Sequence, residues 1–186
     1  LVQNNPNEAS LTLTADSSGG GGILVSGGRL QLGDGTSAHG SVTTVITNNA
    51  ILRYFYNADA SLPNRLSGNG VVNYEQATGT RTFTYAANAV SDGFTGTINI
   101  APGVRLHADT GNGGYNFGNG TLVNGPGFAQ AWVDTSATNY NQSFVIAGNG
   151  WSGETTPPGA VRAFHFTPTG PIPLTAHSPL GGGRVR

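Results

Sequence analysis

The sequence predicts an all-β chain wound as a solenoid, and three observations predict it. Apolar residues come in short alternating runs, glycine and asparagine punctuate those runs, and helical periodicity is almost absent. The 186 residues suffice for one domain with a substantial core, or for several coils of a solenoid. The chain contains 30 Gly, and only 9% of it is charged, against about 25% in ordinary globular domains. Disorder does not account for this bias, because disordered chains combine low hydrophobicity with high net charge. Here the hydrophobic fraction is 37% and the formal net charge −1.

Taken in order, strand-like runs fall at Leu11 to Thr14, Ile23 to Val25, Arg29 to Leu32, Val42 to Thr47, Ala50 to Tyr56 and Val71 to Tyr74. They continue at Thr82 to Tyr85, Thr95 to Ile100, Val104 to Ala108, Thr121 to Val123, Ala129 to Val133 and Ser143 to Ala147. Leu11 and Leu13, Leu30 and Leu32, Ile98 and Ile100, and Val104 and Leu106 each flank a polar residue or arginine. One face of each run is therefore buried and the other wet. The best helical stretch, Ala86 to Val90, is too short to stand as a helix.

Three Gly-Asn-Gly turns, centred on Asn69, Asn119 and Asn149, supply candidate corners. Their intervals of 50 and 30 fit no strict period, but suit whole numbers of irregular coils of roughly 20 to 30 residues. In this reading inward Val, Ile, Leu and Phe form a column and glycine takes the tight corners. The alternative is a Gly-rich β-sandwich. From Thr155 onward Pro157, Pro158, Pro168, Pro171, Pro173 and Pro179 oppose a regular ladder. The chain divides into a solenoid segment, 1–164, and a Pro/Gly-rich extended or disordered tail, 165–186.

The eight basic residues are all arginine and lie far apart: Arg29, Arg53, Arg65, Arg81, Arg105, Arg162, Arg184 and Arg186. No basic stripe follows a phosphate backbone, which argues against nucleic acid as a partner. No apolar run reaches the length of a membrane-spanning helix, so direct membrane insertion of this segment is not expected. The absence of cysteine removes disulfides and thiolate metal sites. The chain begins at Leu1 without a leader, and it reads as an internal fragment of a longer protein.

Leu11-Thr12-Leu13-Thr14, the Gly19 to Gly22 turn, and Ile23-Leu24-Val25-Ser26-Gly27-Gly28-Arg29-Leu30-Gln31-Leu32-Gly33 together resemble the autotransporter-associated β-strand repeat. Leu66-Ser67-Gly68-Asn69-Gly70 is similar to a phrase that follows such repeats. The match covers about 25 residues; Arg29 departs from the pattern, and no clean copy lies between Ala77 and Asp134. The resemblance implies a right-handed parallel β-helix in a passenger exported across a bacterial outer membrane to the cell surface or beyond. It also implies a C-terminal translocator barrel elsewhere in the protein.

Candidate chemistry is sparse. Asp34, Asp59, Glu75, Asp92, Asp109, Asp134 and Glu154 form no close pair in sequence, although stacking can converge distant ones; a glycosidase needs two carboxylates about 5 to 9.5 Å apart. His39, His107, His165 and His177 lack metal-site spacing, and His107 is expected at the surface opposite Leu106. Asp34-Gly35-Thr36 and the loop from Asp109 read as Asx turns rather than calcium loops. Gly19 to Gly22 lacks a phosphate-loop ending, and no Gly-x-Ser-x-Gly elbow is present. No catalytic residue, metal or cofactor is expected.

The aromatic residues remain: Tyr54, Tyr56, Trp132 and Trp151 are candidate ligand contacts, with stacking between coils as the competing explanation for them. The expected function is a non-catalytic adhesive or display scaffold whose partner is a protein or glycan on a host or neighbouring cell. The alternatives are a polysaccharide-active β-helix enzyme, pectate lyase-like or polygalacturonase-like, and a carbohydrate-binding β module.

Overall fold

The computed structural model describes residues 1–4, 9–36, 39–85, 93–109, 117–125, 127–134, 143–151, 159–164 and 180–181. Within them the chain is all β, and every strand pairs in parallel. Parallel neighbours cannot be joined by a hairpin, so a crossover must separate them. Here the crossover is the rest of a coil, and about five turns stack into a β-solenoid.

Three sheets run along the stack. The first holds β1 (Val2–Asn4), β3 (Ile23–Gly27), β5 (Ile46–Asn48), β8 (Leu66–Gly68) and β11 (Gly93–Phe94). The second holds β2 (Ser10–Leu13), β4 (Arg29–Leu32), β6 (Ile51–Tyr56), β9 (Val71–Gln76), β12 (Thr97–Ile100), β14 (Thr121–Asn124) and β16 (Ser143–Val145). The third holds β7 (Ala60–Leu62), β10 (Arg81–Tyr85), β13 (Val104–Asp109), β15 (Gln130–Asp134), β17 (Val161–Phe164) and β18 (Leu180–Gly181).

Register turns the alternation into columns. Leu11, Leu30, Leu52, Val72, Ile98, Leu122 and Phe144 lie one above another on the inner side of the second sheet. The coil length varies: Ser10 and Arg29 on adjacent coils are 19 residues apart, Asn73 and Asn99 26. The third sheet contributes Phe83, Leu106, Ala131 and Val161 in one inner column and Leu62, Tyr85, Ala108 and Val133 in the next. These residues form a single apolar cluster, so burial in one coil depends on the coils beside it.

The corners set how closely coils approach. A Cβ on Gly96 would lie 1.9 Å from the carbonyl oxygen of Gly70, and one on Gly120 would lie 1.8 Å from that of Gly96. Only glycine fits this column. Asn119 is therefore two coils beyond Asn69, which accounts for their interval of 50. The third phrase sits elsewhere: the Asn149 amide N–H donates to the Gly127 carbonyl, placing Gly148-Asn149-Gly150 at the corner between the second and third sheets. One repeat phrase thus marks two corners, and the unequal intervals follow.

The long alternating runs match the expected strands, while the shortest strands escape sequence reading. β1, β7, β8 and β11 hold two or three residues each, too few to show a period, and β17 pairs with β15 inside the span from Thr155 where the prolines were expected to oppose a ladder. The run expected over Val42 to Thr47 is corrected: Val42 makes only an isolated parallel bridge with Ser17, and the strand begins at Ile46. The Ala86 to Val90 stretch lies outside the described residues. So does the 165–186 tail, except that Leu180–Gly181 pairs in parallel with β17.

Candidate ligand-binding face

The third sheet buries alternate residues and sends the others outward. In the outward set Ser61, Thr84, His107, Trp132 and Arg162 occupy one column in register. Thr82, Arg105 and Gln130 occupy the next. Adjacent strands lie about 4.8 Å apart, so side chains from different coils touch along this face.

Trp132 is at the centre of the contacts. The His107 ring stacks on it with centroids 3.9 Å apart and planes 16° from parallel. The Arg162 guanidinium carbon lies 4.5 Å from the indole centre. Since β15 runs between β13 and β17, His107 and Arg162 approach Trp132 from opposite sides. Arg105 sits 4.9 Å from the Trp132 ring and 4.2 Å from that of Trp151, and it is only 9% exposed. A guanidinium desolvated between indoles is attracted by the negative ring faces more strongly than an exposed one.

Gln130, the register partner of Arg105, is fully buried, and its side-chain amide donates to the Gly159 carbonyl at 2.7 Å. Its Oε1 has no hydrogen-bond partner among the described residues, and neither has the buried Trp132 Nε1–H. Both atoms carry the cost of desolvation without compensation, which in folded proteins is uncommon enough to need a reason. Further down the stack the same face opens into a shallow depression of about 490 Å³ lined by Asp59, Ala60, Ser61, Thr82 and Thr84.

The outer face of the second sheet is built otherwise. Arg53 donates to Gln31 Oε1 at 2.9 Å, forms an ion pair with Glu75 and lies 4.0 Å from the Phe55 ring centre. Asn99 donates to Asn73 Oδ1 at 2.8 Å. From β4 to β12, polar side chains thus bond from one coil to the next.

Of the four aromatic candidates, Trp132 and Trp151 lie in the cluster on the third sheet, Trp132 half-buried and Trp151 buried at 8% exposure rather than open as expected. The expectation that Tyr54 and Tyr56 offer surface contacts is corrected, since they are only 1% and 2% exposed and point into the core. Even positions of β6 face inward. There Tyr54 stacks on Tyr74 at 4.9 Å and 13° and donates to Asn64 Oδ1. The Tyr74 and Tyr85 hydroxyls share a 2.6 Å hydrogen bond. Burial, then the neighbouring Tyr85, pushes the Tyr54 and Tyr74 hydroxyls well above the usual tyrosine range, and burial raises Tyr56 and Tyr85 as well.

His107 lies opposite the buried Leu106 as expected, yet it is half-buried rather than open, because Trp132 covers it. His39 stands apart, 4.9 Å from the Tyr56 ring. Asp34 accepts the Thr36 hydroxyl at 2.6 Å and, in an Asx turn, its amide N–H at 2.9 Å, and these two bonds, the hydroxyl's first, lower the carboxyl pKa. Asp59 accepts the Thr82 amide N–H at 2.8 Å, and Glu75 holds Arg53. Asp92, Glu154, His165 and His177 lie outside the described residues, as does the loop beyond Asp109. Two acids separated in sequence do meet in register: Asp109 on β13 pairs with Asp134 on β15.

Among the described residues no three His, Asp or Glu side chains come close enough to hold a metal ion, and no helix is long and apolar enough to cross a membrane. Sequence reasoning missed Arg105, Gln130 and Arg162 as neighbours of Trp132. Alternation in the run Val104 to Ala108 set Arg105 outward, but Arg162 fell in no run read from the sequence, and the coil lengths that align these residues are not visible in the runs. No protein family, curated protein or solved structure matches this chain.

Proposed function

We propose that this chain is a segment of a non-catalytic passenger on the outside of a bacterial cell, where a rigid β-solenoid displays an adhesive face. The observation that carries the reading is the outer face of the third sheet, where Trp132, Trp151, Arg105, His107 and Arg162 gather from three coils and from the corner at Gly150. Aromatic and arginine side chains concentrated in one patch are the usual anchors of recognition. The stretch that resembles the passenger repeat supports the rest: it folds as β2, β3 and β4, with Leu11 stacked on Leu30. Its repetition extends a stack without a new fold, which suits a display arm. Partners are a glycan or protein on a host or neighbouring cell, and a translocator barrel elsewhere in the protein.

The test is to immobilise the protein and present it with cell-surface glycans and whole cells. Retention that is lost in Trp132→Ala, with polysaccharide length unchanged, supports the reading. Absence of retention on every glycan and cell type overturns it.

A second reading, a polysaccharide-active enzyme, draws on the register of Asp109 with Asp134. The two are Cα partners on adjacent strands, and a glycosidase needs two carboxylates about 5 to 9.5 Å apart. Depolymerisation that disappears in both Asp109→Asn and Asp134→Asn would replace the first reading with this one.

A further inference from the structure

We propose that the depression at the β7 end of the third sheet, lined by Asp59, Ser61, Thr82 and Thr84, binds a sugar residue that carries no acidic group, neutral or amino, within a glycan chain. This rests on the reading of the chain as an adhesive display segment and gives its third-sheet face a ligand class.

The depression comes from a change in side-chain size along the sheet. In register, Thr82 gives way to Arg105 and Thr84 to His107, so the hydroxyl-sized groups of β10 lie beside a guanidinium and an imidazole on β13. On the other side β7 is the outermost strand, since among the described residues the first two coils add no strand to this sheet. The space left over β7 and β10 is about 490 Å³, and pockets that take small ligands hold about 300 to 1,000 Å³.

The polar groups around this space are uncommitted. Asp59 accepts the Thr82 amide N–H at 2.8 Å, which holds the carboxylate in place, and no arginine or histidine pairs with it among the described residues. The hydroxyls of Ser61, Thr82 and Thr84 form no hydrogen bond among those residues either. Each hydroxyl can donate and accept, and a carboxylate is a strong acceptor. Three hydroxyls beside one fixed carboxylate therefore match neighbouring hydroxyls on a sugar ring, or a hydroxyl and an ammonium. The lining offers an acidic group no cation, and it offers an apolar ligand only Ala60. Along the column, Ser61 and Thr84 lead in register to His107 and Trp132 at about 4.8 Å per coil, so a glycan seated in the depression can run on to the aromatic cluster.

The experiment is calorimetric titration of the full chain with dextran, galactomannan, chitosan oligosaccharides and polygalacturonate. At least one of the first three is expected to bind about tenfold or more tighter than polygalacturonate, which Asp59 repels. Preference for the chitosan oligosaccharides identifies the amino sugar, and preference for dextran or galactomannan the neutral one. Asp59→Asn keeps an acceptor for the Thr82 amide, and Thr84→Val keeps the side-chain shape. Both are expected to melt like wild type and to weaken binding about tenfold. Ser61→Ala, at an exposed position, is expected to weaken it as well, so a folding defect in one variant does not decide the matter. Wild-type affinity in all three variants, or equally tight binding of polygalacturonate, overturns this site and leaves an adhesive face intact. If none of the four polysaccharides binds but proteins or whole cells are retained, the site falls and the display reading stands. If nothing is retained, both fall, and shortening of any glycan defeats the display reading on which the site rests.

Discussion

The outer faces of the second and third sheets are made by the same rule of stacked coils, and they solve it differently. On the second, Gln31, Arg53, Glu75, Asn73 and Asn99 bond from coil to coil. On the third, Trp132 gathers cations, while Gln130 Oε1 and Trp132 Nε1 are left without partners among the described residues. A ladder that satisfies itself holds coils together and has little left for a ligand. A cluster that concentrates charge on aromatic rings and leaves buried polar atoms unmatched does not satisfy itself in that way, and the proposed adhesive role rests on that difference.

The sharpest way to break both faces together is at the glycine column between the first and second sheets, because the same coils carry both faces. Gly96→Val inserts atoms where even a Cβ would lie 1.9 Å from the Gly70 carbonyl oxygen. It is expected to cost more than about 4 kcal/mol and to abolish the folded state by circular dichroism. Gly20→Ala, with nothing within 4 Å of the new Cβ, is expected to melt like wild type.

Next in size is the core between the faces. Tyr74→Ala removes a fully buried ring that stacks on Tyr54 and bonds to Tyr85, and chemical denaturation is expected to show a loss of about 3 to 5 kcal/mol. The same tyrosines set an alkaline limit. Their folded-state pKa values are raised, so the stability they contribute is complete below the ordinary tyrosine pKa near 10 and falls as pH rises through the folded values. Absorbance at tyrosinate wavelengths is expected to rise together with unfolding, at a pH that moves upward in Tyr74→Phe. Ionisation of these tyrosines in a chain that keeps its fold would contradict it.

The smallest effect separates the faces. Arg53→Ala breaks a partly exposed pair with Glu75 and is expected to cost about 1 kcal/mol or less in a denaturation curve. It is also expected to leave ligand retention unchanged, whereas Trp132→Ala removes retention. Equal loss of retention in both would mean that the two faces do not differ in role.

Much of this architecture is legible in the sequence because alternation survives in isolation: Arg29 to Leu32 reads as a strand by itself and is one. What stacks on what is not legible. Coils of unequal length leave Tyr54 with no sequence signal that Tyr74 lies above it, and the same alternation that sets Trp132 outward sets Tyr54 inward. A Tyr-Phe-Tyr run offers two assignments of inside and outside, and only the packing of Leu52 in the same strand selects one. The Trp132 cluster was half visible for the same reason, since its tryptophans stand out by type and its arginines only by position.

Gly150 and Gly159 meet in a parallel bridge so tight that a Cβ on Gly150 would lie 2.0 Å from the Gly159 carbonyl oxygen. Only a residue without a Cβ fits at that contact, so at Gly150 the spacing within the stack is set by backbone against backbone rather than by side-chain packing.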